Sequence, residues 1–186
     1  MTFSQPPFNM YIITGGPGSG KSTLIDALTE KGIRCMPEAG RAIIQDQQAI
    51  GGSALPWINP NSFAELMLSW DIRSYRESLK LQGPVIFDRG IPDVMGYLLL
   101  NNLPVPPHIE KAAQIFRYHP QIFIAPPWQE IFAQDNERKQ SFEEAIATYH
   151  AMVKVYSGLG YEICHLPLSS VRERVEFIMQ RIISSS

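Results

Sequence analysis

Cysteine is nearly absent from this sequence: the chain has two, Cys35 and Cys164. Two are too few for a disulfide framework, and they lack metal-ligand spacing. An excess of positive charge is missing as well. Sixteen Lys and Arg stand against eighteen Asp and Glu, a formal charge of -2, and no Lys/Arg-rich run occurs. Nucleic acid is therefore not expected as the main partner. No apolar run is long enough to span a bilayer, and the opening MTFSQPPFN has no signal-peptide core. The expected compartment is the cytosol, with no membrane partner. His108, His119, His150 and His165 share no metal-ligand spacing, so no structural zinc site is expected. What is present is 186 residues, 45% hydrophobic and 18% charged, suiting one domain over 1–186 with a continuous core.

Five short apolar runs alternate with helical patterns. Met10–Thr14, Ile33–Met36, Val85–Phe87, Gln121–Ala125 and Tyr161–Leu166 read as strands. They are apolar on both faces, as in a parallel sheet covered by helices. Ser62-x-x-Glu65, Ser141-x-x-Glu144 and Ser170-x-x-Glu173 each fit the capping box that opens a helix. Phe142, Ala145, Ile146, Tyr149, Val153 and Tyr156 form a core-facing stripe after the second box; Val171, Val175, Ile178 and Ile182 form another after the third. The alternation predicts an α/β, doubly wound architecture. Gly51–Asn61 and Pro104–Pro107 read as loops within it.

Between the first strand and the helix that follows lies Gly15-Gly16-Pro17-Gly18-Ser19-Gly20-Lys21-Ser22, then Thr23. It matches G-x-x-x-x-G-K-[ST] without exception. Such a loop wraps phosphate with backbone N–H groups, which requires close approach and dihedrals that glycine reaches cheaply. The helix behind it points its positive dipole end at the anion. Lys21 is expected to reach the β/γ oxygens, and the Ser22 hydroxyl to ligate Mg²⁺. The expected ligands are ATP and Mg²⁺.

The metal needs a second ligand, and Asp88, at the end of the third strand, supplies a carboxylate there. The residue after it is Arg89, where many NTP-hydrolysing motors place a water-activating glutamate. An arginine suits an anionic or polar second substrate, or the transferring phosphoryl group. No Asn/Thr-Lys-x-Asp guanine-recognition element occurs either. Glu38 and Arg41, after the second strand, fall on the same sheet edge. Two readings stand for them: acceptor binding, or a local ion pair. Between the fourth strand and its helix, Arg138 is expected to cap the transfer as a lid arginine, while Lys139 reads as solvated.

Other residues carry weaker signals. Trp57 and Trp128 are expected to pack under loops rather than stack on a ring. Asp71 and Arg73 read as a salt-bridged or solvated helix face. Asp93 either supports Arg89 or belongs to a first helical turn, where acids are favoured.

Phosphate loop, Glu38-Ala39-Gly40-Arg41, Asp88-Arg89 and an arginine-bearing late loop, in that order, resemble P-loop kinases of nucleosides and nucleotides. The layout is most similar to the ribosylnicotinamide kinase domain and to single-domain predicted ATPases of the "AAA domain" type. That resemblance implies a three-layer α/β/α fold with a five-stranded parallel sheet in 2-3-1-4-5 order. It also implies ATP as donor and an acceptor cleft among Glu38, Arg41, Asp88 and Arg89. With that order, Cys35 and Cys164 fall on opposite edge strands, too far apart to bridge. The leading expectation is a small-molecule kinase with catalytic Lys21, Asp88, Arg89 and Arg138. The competitor is an ATP-binding regulatory module acting through a protein partner. A nucleic-acid-end kinase is disfavoured by the charge balance.

Overall fold

The computed structural model describes residues 9–132 and 140–184. Five strands lie at β1 (Met10–Gly15), β2 (Arg34–Met36), β3 (Val85–Asp88), β4 (Gln121–Ala125) and β5 (Glu162–His165). All pair in parallel, in the order β2-β3-β1-β4-β5. The helices are α1 (Lys21–Glu30), α2 (Ala39–Ile50), α3 (Pro60–Ser78), α4 (Ile91–Leu100), α5 (Pro107–Ile115), α6 (Phe142–Gly158) and α7 (Val171–Ser184).

Period-two alternation on doubly buried strands divides the core in two. Met10, Ile12, Val85, Phe87, Ile122 and Ile124 face one layer, with side chains from α3, α4, α5 and α6. Tyr11, Ile13, Ile86, Phe123 and Ala125 face the other, against α1 and α7. This is the three-layer arrangement that the resemblance to P-loop kinases implies. Cys35 in β2 and Cys164 in β5 are free thiols on the outermost strands. Four strand spacings of about 4.8 Å separate them. Among the described residues, no helix is long and apolar enough to cross a membrane.

Several local expectations shift. The capping box at Ser62 does not open α3: Asn59 caps that helix by accepting from the Ser62 N–H at 3.0 Å, with Pro60 in the first turn. Proline's fixed φ and missing N–H suit that position, so Asn-Pro starts the helix earlier. The other two boxes form as expected, at Ser141–Glu144 and Ser170–Glu173. In α6 the inward face is Ala145, Met152, Val155 and Tyr156, while Ile146 is 36% exposed. Gly96 explains the shift: α4 comes so close there that a Cβ would stand 2.6 Å from the Met152 sulfur. Trp57 is 62% exposed rather than packed, because Leu55 anchors its loop instead at 5% exposure. Trp128 is half-buried, with its indole N–H donating to Glu130 at 2.6 Å.

Candidate active site

Parallel strands bring their C-terminal ends to one edge. Ile13 is in register with Asp88, Met36 with Phe87, and Gly15 with Ala125. The four chain segments leaving that edge carry the residues singled out above.

Gly15, Gly18 and Gly20 have φ of 148°, 69° and 74°, values that side chains rarely adopt. The loop also has no room for side chains. A Cβ on Gly15 would lie 2.7 Å from the Ala125 carbonyl, one on Gly16 would strike the Ala145 carbonyl of α6, and one on Gly18 the Phe132 ring. The Ser19 hydroxyl closes the turn by donating to the Gly16 carbonyl at 2.8 Å. Pro17 is half-buried within it, and Ser22 and Thr23 are exposed in the first turn of α1. A loop wrapped this tightly, with glycine at each position that has no room for a side chain, at a helix N-terminus, fits a phosphate chain.

Lys21 is 6% exposed and donates to Asp88; its Nζ also lies 3.9 Å from Glu38. Glu38 in turn meets the Arg89 Nε at 3.4 Å. Arg89 has φ of 70°, a strained value held because its N–H donates to the Ile13 carbonyl at 3.0 Å. Its guanidinium reaches Asp93 at 3.3 Å. Asp93, 6% exposed, also accepts from the Thr14 hydroxyl at 2.5 Å, the Tyr156 hydroxyl at 2.5 Å and the Gly90 N–H at 3.0 Å. Both weighed roles of Asp93 are therefore combined: it holds Arg89 and closes the first turn of α4.

Charges follow this geometry. Burial works to raise the Glu38 pKa, but Arg89, Lys21 and Arg41 outweigh it and hold the carboxyl below its ordinary range. Burial pushes Asp88 up against the pull of Lys21. Burial opposes the charge on Arg89, yet Glu38, Asp93 and Asp88 together raise its pKa. Arg41 is exposed and lowers the Glu38 pKa through its charge; the ion-pair partners of Glu38 among the described residues are Lys21 and Arg89. Arg138 and Lys139 lie outside the described residues.

Asp71 departs from its expected solvated face. It is half-buried, makes no hydrogen bond among the described residues, and feels Asp93, Glu38 and Arg89 across the cleft. Arg73 keeps the bland role, pairing with Glu77 at 2.9 Å while 79% exposed. Burial, Asp93 and Glu38 push the Asp71 pKa well above the ordinary 3.8. The native state therefore holds this proton longer than the unfolded chain does, and stability falls as pH rises between the two values. Asp71→Asn is expected to raise Tm at about pH 8, with the gap closing near pH 4. A constant gap at both pH values would show that the carboxyl is not the titrating group.

The signal that Asp71 faces inward is its spacing on α3, eight residues after Phe63 and four after Met67, both of which pack in the core. Arg174 falls in the stripe of α7 in the same way, three residues after Val171. It is 2% exposed, and its guanidinium donates to the Ser19 carbonyl at 3.1 Å.

A family model described as AAA domain matches residues 10–174. No curated protein matches the chain. Among solved structures, the chain is similar to deoxyadenosine kinase from M. mycoides with dCMP and dCDP bound, at TM-score 0.67 and 14% identity, covering 94% of this chain and 99% of that one. It is similar to NadR in complex with NR at TM-score 0.66 and 16% identity, covering 95% of this chain and 52% of that one. Shikimate kinase from Acinetobacter baumannii, with shikimate, gives TM-score 0.53 and 15% identity over 99% and 97% of the two chains. At such identities the likeness speaks for the fold, that of P-loop kinases. The family match spans the glycine-lined loop, the Asp-Arg strand end and all five strands, and the chain belongs to the AAA domain family.

Proposed function

We propose that this protein is a small-molecule kinase that passes the γ-phosphoryl group of MgATP to a nucleoside-like or phosphorylated acceptor. The observation that carries the reading is the Lys21–Asp88–Glu38–Arg89 cluster beside the phosphate loop. Arg89, held by Glu38 and Asp93, follows Asp88 directly, the sequence position at which many NTP-hydrolysing motors have a glutamate. Likeness to deoxyadenosine kinase and shikimate kinase, and to NadR with NR bound, supports the same direction.

Phosphoryl transfer asks for positioning and charge stabilisation more than covalent chemistry. The backbone N–H groups of Gly15, Gly18, Gly20 and Lys21 would cradle the phosphates, Pro17 having none to give, with Lys21 on the transferring group. Ser22 and Asp88 would supply oxygen donors of the kind Mg²⁺ prefers, and that ion, when bound, would neutralise charge developing on the phosphates. Glu38 is ionised and 35% exposed, so it can accept a hydrogen bond from an acceptor hydroxyl. Arg89 would hold the acceptor's polar or anionic group, with Arg41 at the rim. Asp88 orients the attacking hydroxyl, and Arg138 caps the transfer.

The test is a panel of nucleosides, nucleotides and small hydroxy acids with MgATP, read by ADP formation and product mass. An acceptor that accelerates ADP release and gains one phosphate is expected. ADP release that no acceptor changes, but a protein partner does, would favour the regulatory-module reading. Arg89→Ala is expected to lower kcat/KM for the acceptor by about 10²-fold, with little effect on ATP binding. An unchanged acceptor KM and kcat would remove Arg89 from the mechanism.

A further inference from the structure

Arg174 lies in the first turn of α7, where a helix dipole disfavours a cation. It is 2% exposed, yet no carboxylate among the described residues pairs with it. Its Nε has no hydrogen-bond partner, and burial pulls its pKa down. A buried guanidinium without a counter-ion is costly, so something must offset it. The groups around it belong to the phosphate loop. One guanidinium nitrogen donates to the Ser19 carbonyl at 3.1 Å, and a Cβ on Gly20 would lie 2.8 Å from that nitrogen.

The Ser19–Gly20 peptide is trans, so its carbonyl and its N–H point in opposite directions. A donor that holds the Ser19 carbonyl outward therefore turns the Gly20 N–H toward the cradle. It also polarises that peptide, strengthening the N–H as a donor. Among the described residues, the cations of the site that carry ion pairs are Lys21, with Asp88 and Glu38, and Arg89, with Glu38 and Asp93. Arg174 carries none.

We infer that Arg174 is a positioning residue for the polyphosphate: it fixes the Ser19–Gly20 peptide with its N–H facing the anion, and its uncompensated charge is balanced when the anion binds. This rests on the nucleotide-binding part of the proposed function. Because one peptide unit separates the guanidinium from the cradle, its action is through the loop rather than by contact.

The test compares the wild-type protein with Arg174→Met, Arg174→Gln and Arg174→Lys. Calorimetry measures binding of ATP, ADP, AMP and adenosine in Mg²⁺, and thermal unfolding is followed without ligand. Arg174→Met is expected to weaken ATP about tenfold, the scale of one charge-assisted contact. The loss shrinks for ADP and AMP and vanishes for adenosine. Unliganded Tm stays level or rises, because a lone buried charge has gone. If the methionine variant does not fold, the other two decide the matter: lysine keeps the dependence on phosphate number and glutamine loses it. Equal weakening of ATP and adenosine, or a Tm drop in every variant that parallels the affinity loss, would assign Arg174 a structural role alone. Wild-type protein that binds ATP no better than the methionine variant does also overturns this inference. Wild-type protein that binds no nucleotide instead overturns the nucleotide reading, and this inference with it.

Discussion

Replacing Lys21 with alanine is expected to lower ATP-dependent turnover by at least ~10³-fold, about 4 kcal/mol of barrier. Lys21 is the cation nearest both Asp88 and the loop, and it is 6% exposed. A buried charge acts through a lower dielectric than water offers, so its loss weighs more. The variant also leaves Glu38 and Asp88 facing each other without the cation between them, which makes the site hostile to a triphosphate. The measurement is ADP formation with saturating acceptor, beside thermal unfolding to confirm a folded protein. Arg73→Ala serves as control, since Arg73 is 79% exposed and, among the described residues, pairs with Glu77 on its own helix; its activity is expected to match wild type. Full turnover in the Lys21 variant would mean that the glycine loop is not the active site.

Local chemistry made much of this legible before any coordinates. Gly15 to Ser22 can be read directly because few backbones tolerate three positive-φ glycines in six residues, and a phosphate cradle is one of them. The strands could be placed because a doubly covered parallel sheet needs apolar residues on both faces, and the residues of β1, β3 and β4 meet that demand. Harder to see were features set by the approach of distant elements. Ile146 and Ala145 are neighbours in an apolar helix, and only the seating of α6 against α4 decides which of them turns outward. The same holds for Asp71 and Arg174. Each sits in register with apolar neighbours, which marks it as inward, but the sequence does not say what lies opposite. For Asp71 it is Asp93, Glu38 and Arg89 across the sheet edge. For Arg174 it is a carbonyl 155 residues away along the chain.

Asp93→Asn is expected to cost the most stability of any single change near the site, about 3 kcal/mol. Four donors converge on the Asp93 carboxylate: the Thr14 and Tyr156 hydroxyls, the Gly90 N–H and the Arg89 guanidinium. An amide keeps the shape but turns one acceptor into a donor, so at least one donor–donor clash enters a site that is 6% exposed. A chain of this length loses roughly 2–4 °C of Tm per kcal/mol, giving a drop near 10 °C. The same four bonds join the end of β1, the start of α4 and α6 to the arginine beside the phosphate loop. Activity should therefore fall before the protein unfolds. With Arg89 released from Asp93 and still tied to Glu38, the acceptor KM should rise while ATP affinity measured at low temperature stays close to wild type. A variant with unchanged Tm would show that the carboxylate is not the hub of these bonds. Weakened ATP with an intact acceptor KM would place the hub behind the loop rather than behind Arg89.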